Sequence, residues 1–194
     1  MSKHIADLTG VELGDLADEN ALLRASLAEA RERLHEMEEG NDADTLTPLP
    51  NRRRFVRELE RVVGQAERHG TPAAVLTIDL AGLDAINQSH GRCAGDAALI
   101  HVAKTLSGLI RSTDLLARIG GDEFGLILDH LDHNSAIETA ERLARCIAAE
   151  PVDLGGACIA VEAWIATTSI LPGDSVEGVI ARAGRNMARA KSGY

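Results

Sequence analysis

The strongest constraint on the fold is a pair of short apolar runs, 115–117 and 124–128, joined through Arg118-Ile119-Gly120-Gly121-Asp122-Glu123. A glycine-containing connection between two apolar runs is a hairpin signal. The stretch therefore fixes two antiparallel neighbours and obliges the rest of the chain to complete their sheet. The turn also carries two adjacent acids. Neighbouring carboxylates repel each other, a cost that a bound cation removes. Gly120 and Gly121 leave space for a ligand to approach the backbone closely.

The run PAAVLTIDL (72–80) reads as a buried strand with an acid, Asp79, near its end. If it lies beside the hairpin, Asp79, Asp122 and Glu123 converge at one edge. Such oxygen ligands suit Mg²⁺ or Mn²⁺, which also bind substrate phosphates. On the residues alone, a polar hairpin turn with no ligand remains the alternative. Around these strands, Asn51 can cap a helix running to about His69, a short helix and turn follows Asp79, and helical patterns cover 94–111, 135–150 and 175–191. The segment 157–170 reads as a strand or strand pair. Helices alternating with strands, one hairpin among them, predict an α+β fold with a mixed central sheet and flanking helices. Aromatic residues make up only 2% of the chain. The core must therefore be aliphatic, and stacking on nucleic-acid bases is disfavoured.

The N-terminal segment has its own pattern. Leu13, Leu16, Asn20, Leu23, Leu27, Ala30, Leu34 and Met37 follow a 3-4-3-4 spacing, the heptad seam of a coiled coil. Asn20 at a core position selects a parallel, in-register pair. Glu19 would then face Arg24 of the partner, and Arg33 would face Glu38. A single amphipathic helix lying on the rest of the chain is the alternative. The seam predicts a homodimer with both globular parts hung from the same end, and GNDADT (40–45) as a short linker. Residues 1–45 hold four bases against twelve acids, a net −8 of the chain's −10. That charge disfavours nucleic-acid or anionic-membrane surfaces and leaves the acidic helices open to a protein partner. The three cysteines lack CxxC spacing, and no apolar stretch reaches membrane-spanning length. The expectation is a soluble protein of a reducing, cytoplasmic compartment.

These stretches together resemble the GGDEF domain family, whose active members are diguanylate cyclases. The signature is intact as Gly120, Gly121, Asp122, Glu123 and Phe124. In the family's order come LTPLPNRR (46–53), similar to the lead-in LTxLPNRR; IDLAGLDAIN (78–87), similar to the strand–helix segment; GRCAGD (91–96), similar to GHxxGD; and ARAK (188–191), similar to the C-terminal lysine motif. The resemblance covers roughly 44–194 and leaves 1–43 as the coiled-coil helix. It implies a fold like the adenylyl cyclase catalytic palm, with a ferredoxin-like core, and condensation of two GTP to cyclic di-GMP with release of pyrophosphate. It implies two Mg²⁺ (or Mn²⁺) per active site on Asp79, Asp122 and the Leu80 carbonyl. Glu123 would support the metals or the proton transfer. Asn87 and Asp96 would read the guanine, Gly120 and Gly121 would admit the nucleotide, and Lys191 would touch its phosphates. Each 3′-hydroxyl would attack the α-phosphate of the GTP on the other subunit, which gives the coiled coil a mechanistic role. An RxxD site for the product is implied at Arg111 and Asp114, joined by Arg142.

The chain also departs from the family pattern. Where the family has a second acid, an aromatic and a lysine, this sequence has Ala81, Leu83 and Asp84, so one phosphate-binding cation is replaced by an acid. Gln88 and Arg92 stand for Asp and His. The arginine that commonly follows the lysine by four residues would fall beyond Tyr194. Three expectations follow: a cyclase, slow for want of phosphate cations; a catalytically silent receptor for cyclic di-GMP; and a dimeric signalling scaffold.

Overall fold

A computed structural model describes Asn20, Leu23, Arg24 and residues 42–154 and 158–193. The chain divides into two units, Met1–Asp42 and Ala43–Tyr194. In the first, Asn20, Leu23 and Arg24 are helical and exposed. The rest of the heptad seam lies outside the described residues.

The second unit opens with helix α1 (Arg52–His69), where the Asn51 side chain accepts from the Arg54 amide and Gly70 closes the helix in the left-handed region. Strand β1 (Ala73–Ala81) follows, then α2 (Leu83–His90) and α3 (Arg92–Leu109). The hairpin comes next as β2 (Leu115–Arg118) and β3 (Glu123–Asp129), followed by α4 (His133–Ala149). A small ribbon pairs β4 (Val152–Asp153), for which the sequence carries no signal, with β5 (Cys158–Ile159), which lies in the segment read as a strand or strand pair. Strand β6 (Glu162–Ile170) and helix α5 (Val176–Ser192) complete the unit.

The main sheet has the order β2-β3-β1-β6, the ferredoxin-like arrangement. All three of its ladders are antiparallel, and among the described residues parallel pairing is confined to one isolated bridge, Asn51 with Arg118. The expected mixed sheet is thus antiparallel in its body. The fold is α+β, with helices on both faces, as in the cyclase palm. β1 can sit at the centre because it is apolar on both sides. Its residues Ala74, Leu76, Ile78 and Leu80 join one aliphatic core with Leu99, Val102, Leu106 and Leu143 of α3 and α4. Its residues Ala73 and Val75 join a second core with Phe55, Leu59 and Val62 of α1 and Val179 of α5. Gly125 lets α1 approach the sheet: a β-carbon there would lie 2.6 Å from the Phe55 ring. The outer edge of β6 is blunted by α5, whose Asn186 and Arg182 side chains donate to the Thr167 and Ser169 carbonyls. No described helix is long and apolar enough to cross a membrane.

Candidate functional site

The central site forms where β1, β3 and β6 come together at one end. Asp79 lies opposite Glu123 on β3 and opposite Trp164 on β6. Directly opposed residues point to the same side of a sheet. Trp164, Asp79 and Glu123 therefore make a row across three strands, on the face that α1 and α5 cover. Asp79 is only 3% exposed. Two acids opposed in a ladder repel, and a buried carboxylate needs a partner. That partner comes from the last turn of α5: the Lys191 ammonium donates to Asp79 Oδ2 and forms an ion pair with it. The hydrogen bond to Asp79 pushes the Lys191 ammonium above its ordinary value, partial burial opposes the shift, and the charges of Asp79, Asp122 and Glu123 add to it.

The hairpin turn is held from several directions. The Leu80 amide donates to the Asp122 carbonyl (3.1 Å), which brings the end of β1 against the turn. Within the turn, the Ile119 and Gly120 amides both donate to the Glu123 carbonyl, at 2.9 and 3.2 Å. Neither Gly120 nor Gly121 has a positive φ, so backbone freedom demands a glycine at neither position. A β-carbon on Gly120 would lie 2.8 Å from Glu123 Oε2, whereas nothing lies within 4 Å of one on Gly121. Gly120 thus makes room for the chain's own glutamate, and Gly121 is the one that faces open space.

Arg118 clamps this turn to the segment that leads into α1. Its guanidinium donates to the Gly121 carbonyl (2.6 Å from Nη2) and to Asp44 Oδ1 (3.3 Å from Nη1). Asp44 also accepts from the Thr47 amide and hydroxyl, both at 2.7 Å. Burial pushes the Asp44 carboxyl up, but the Thr47 hydrogen bonds and the Arg118 charge outweigh it and leave the group below its ordinary range. The sequence reading placed Asp44 in the linker and missed this clamp. The one local signal was an Asp three residues before a Thr, the spacing of a side-chain-capped turn.

Beside the acid row, α2 begins at Gly82 (φ 75°) with no side-chain cap. Asp84 occupies its first turn, where the helix dipole favours a carboxylate. Asn87 of α2 packs against Gly95 of α3, the residue before Asp96: a β-carbon on Gly95 would overlap Asn87 Oδ1. Asn87 is half-buried and Asp96 exposed.

On another side of the unit, Arg111, Asp114, Ser135, Glu138, Thr139 and Arg142 line a groove of about 410 Å³. Asp114 Oδ2 accepts from the Arg111 amide (3.0 Å) and the Asp114 amide donates to the Arg111 carbonyl (3.1 Å), a self-closing turn. Arg142 Nη2 reaches the Leu109 carbonyl at 3.1 Å. The three residues expected to form a product site thus share one groove.

Among the described residues, no three His, Cys, Asp or Glu side chains are gathered into a ready metal cluster. The donor chemistry nevertheless fits a hard divalent ion. Two acids oppose each other, a third precedes Glu123, and the cluster already draws a cation, Lys191, into hydrogen-bond contact. Oxygens of a bound phosphate would complete such a set.

Comparison with known proteins agrees with this geometry. A family model described as "Diguanylate cyclase, GGDEF domain" matches residues 41–193. The bifunctional diguanylate cyclase/cyclic di-GMP phosphodiesterase MucR of Pseudomonas aeruginosa is 34% identical over 170 residues, 88% of this chain and 24% of that protein. The chain spans about a quarter or less of the curated relatives it matches. Among solved structures, a sensory box/GGDEF family protein of Caulobacter crescentus superposes with a TM-score of 0.74 at 32% identity, covering 79% of this chain and all of that one. The coiled coil and GGDEF domain of DgcB from Caulobacter crescentus, in complex with c-di-GMP, superposes with a TM-score of 0.75, covering 92% of this chain and 95% of that one; at 24% identity it bears on the fold.

Proposed function

The chain belongs to the GGDEF domain family, and from that premise we propose that it is a diguanylate cyclase, condensing two GTP held by two copies into cyclic di-GMP and two pyrophosphates. The observation that carries the reading is the opposition of buried Asp79 to Glu123, with one lysine reaching in from α5. An acid pair of this kind, at the open end of a sheet beside an uncapped helix start, suits a nucleotide triphosphate brought with cations.

In this reading Asp79, Asp122, Glu123 and the Leu80 carbonyl hold two Mg²⁺ or Mn²⁺ ions. When bound, these clamp phosphate oxygens and lower the pKa of the attacking 3′-hydroxyl. The amides at the start of α2 receive phosphate oxygens, and Lys191 supplies a positive charge to the same group. Gly121 admits the nucleotide against the turn. Asn87 and Asp96 offer the donor and acceptor pattern that guanine's edge requires. Asp84 adds a negative charge where the triphosphate lies, which slows the reaction. A parallel coiled coil of the N-terminal segments brings two half-sites together, and exposed Leu23 agrees with a seam awaiting its partner.

The test is incubation of the full chain with GTP and Mg²⁺ and chromatography of the products. Cyclic di-GMP is the expected product, and no product at any protein concentration rejects the cyclase. A second reading, a cyclic di-GMP receptor or dimeric signalling scaffold, draws on the groove around Arg111, Asp114 and Arg142. Paired arginines and an aspartate can grip phosphates and a guanine edge. Tight binding of added cyclic di-GMP without turnover would select the receptor, and indifference to both nucleotides would select the scaffold.

A further inference from the structure

Trp164 is the chain's single tryptophan, and it is 39% exposed although it stands on the central sheet. Its place in the row is set by register: it lies directly opposite Asp79. The Lys191 ammonium sits between them, 5.7 Å from the centre of the indole ring and hydrogen-bonded to Asp79. That distance lies within the range in which a ring face attracts a cation. The two partners differ in access: the Asp79 side chain is 4% exposed and that of Lys191 40%. The lysine therefore closes the mouth of the acid site from the solvent side, and the indole forms the wall against which it rests.

We propose that Trp164 is a positioning residue for Lys191: its ring holds the ammonium over Asp79 in the nucleotide-free protein, competes with metal entry there, and keeps the same ammonium beside the site to receive phosphate once it is displaced. The inference rests on the metal and phosphate roles proposed above. A flexible four-carbon stem would otherwise spread its charge over many positions, and a wall on one side restricts it to an arc that passes from Asp79 to the space over the turn. The arrangement predicts opposite effects on two ligands. Removing the ring loosens the lysine from Asp79, which favours a competing cation, and scatters the ammonium, which weakens phosphate binding.

The experiment compares full-length wild type, Trp164→Phe, Trp164→Leu and Lys191→Met by calorimetric titration with Mn²⁺ alone, and separately by GTP binding and KM. Trp164→Leu is expected to bind Mn²⁺ roughly two- to five-fold more tightly and GTP weaker by a similar factor. Trp164→Phe, which keeps a ring face, should stay near wild type. Tryptophan emission in the wild type should change as Mn²⁺ displaces the lysine, and Lys191→Met should lack that part of the change. Both affinities falling together in Trp164→Leu would indicate a merely structural role and overturn the proposal, as would unchanged affinities or a wild type that ignores millimolar Mn²⁺. The Mn²⁺ measurements need no turnover. A protein that makes no cyclic di-GMP but shows the opposed shifts retains the positioning role and loses the cyclase assignment.

Discussion

At the end of β1, buried Asp79 stands opposite Glu123 and pairs with one lysine from the last turn of α5, whereas in the groove beside α3 and α4 an arginine and an aspartate from the turn after α3 join a second arginine from the middle of α4, near solvent. The first site depends on strand register. A slip of one residue would turn Asp79 into the opposite core and face Leu80 or Ile78 to the lysine. The second depends on a turn of four residues that closes on itself, with one further arginine from a neighbouring helix. A register-built site fixes its groups against bulk water and lets opposed charges act strongly. A turn-built site is more exposed and tolerates change in the sheet. The protein thus places its proposed chemistry where geometry is most tightly determined, and its proposed sensing of product where geometry is locally autonomous.

The sharpest way to separate the sites is Asp79→Asn. Synthesis of cyclic di-GMP should fall at least about a hundred-fold while cyclic di-GMP binding in the groove persists; parallel loss of both would show that the sites are not independent. The converse is Arg111→Ala, which should weaken cyclic di-GMP binding about ten- to a hundred-fold, read by calorimetry, by removing a charge-assisted contact. Retained affinity would move the product site elsewhere. Gly95→Ala forces Asn87 aside. The KM for GTP should rise about ten-fold with little change in melting temperature, because the displaced group is a side-chain end. A large drop in melting temperature would mean that the α2–α3 contact is structural first. Asp84→Lys restores a cation at the start of α2 and should lower the KM for GTP a few-fold; no change would place the triphosphate away from that turn. The smallest effect concerns Asp44. Its carboxyl is depressed, so its stabilisation is present above the unfolded carboxylate range near pH 4 and is lost as pH falls below it. Asp44→Asn should lower the melting temperature by about 2–4 °C at pH 7, and the difference from wild type should shrink as the pH falls through the depressed range of the folded carboxyl. A difference that persists in acid would exclude the ionised clamp.

Much of the fold was legible because its signals are local. Asn51 before an apolar-periodic run marked the start of α1, and the two apolar runs around the glycines marked the hairpin. Strand β4 escaped because two residues carry no periodicity, whereas β5 falls inside the segment that read as a strand or strand pair. For the sites, motif order placed Arg111, Asp114 and Arg142 in what proves to be one groove. It also named Asp79 and Glu123 and their convergence at one edge, but it did not say that Lys191 pairs with Asp79. Arg118 read as part of the connection between the two apolar runs, and Trp164 as one aromatic among few. Their partners, Asp44 and Lys191, lie 74 and 27 positions away in the sequence, and such pairings leave no trace in spacing.

The sequence alone settled which groups are available: an aliphatic core, a hairpin with adjacent acids, a lysine near the end of the chain, and a heptad seam before the domain. It did so because propensity, apolar periodicity and turn chemistry act over a few residues. Tertiary structure alone decided which acids are buried, which cation meets them, and that Gly120 serves the glutamate while Gly121 faces open space. Those outcomes depend on how strands from distant parts of the chain come into register, and register is fixed by the packing of two cores against one sheet.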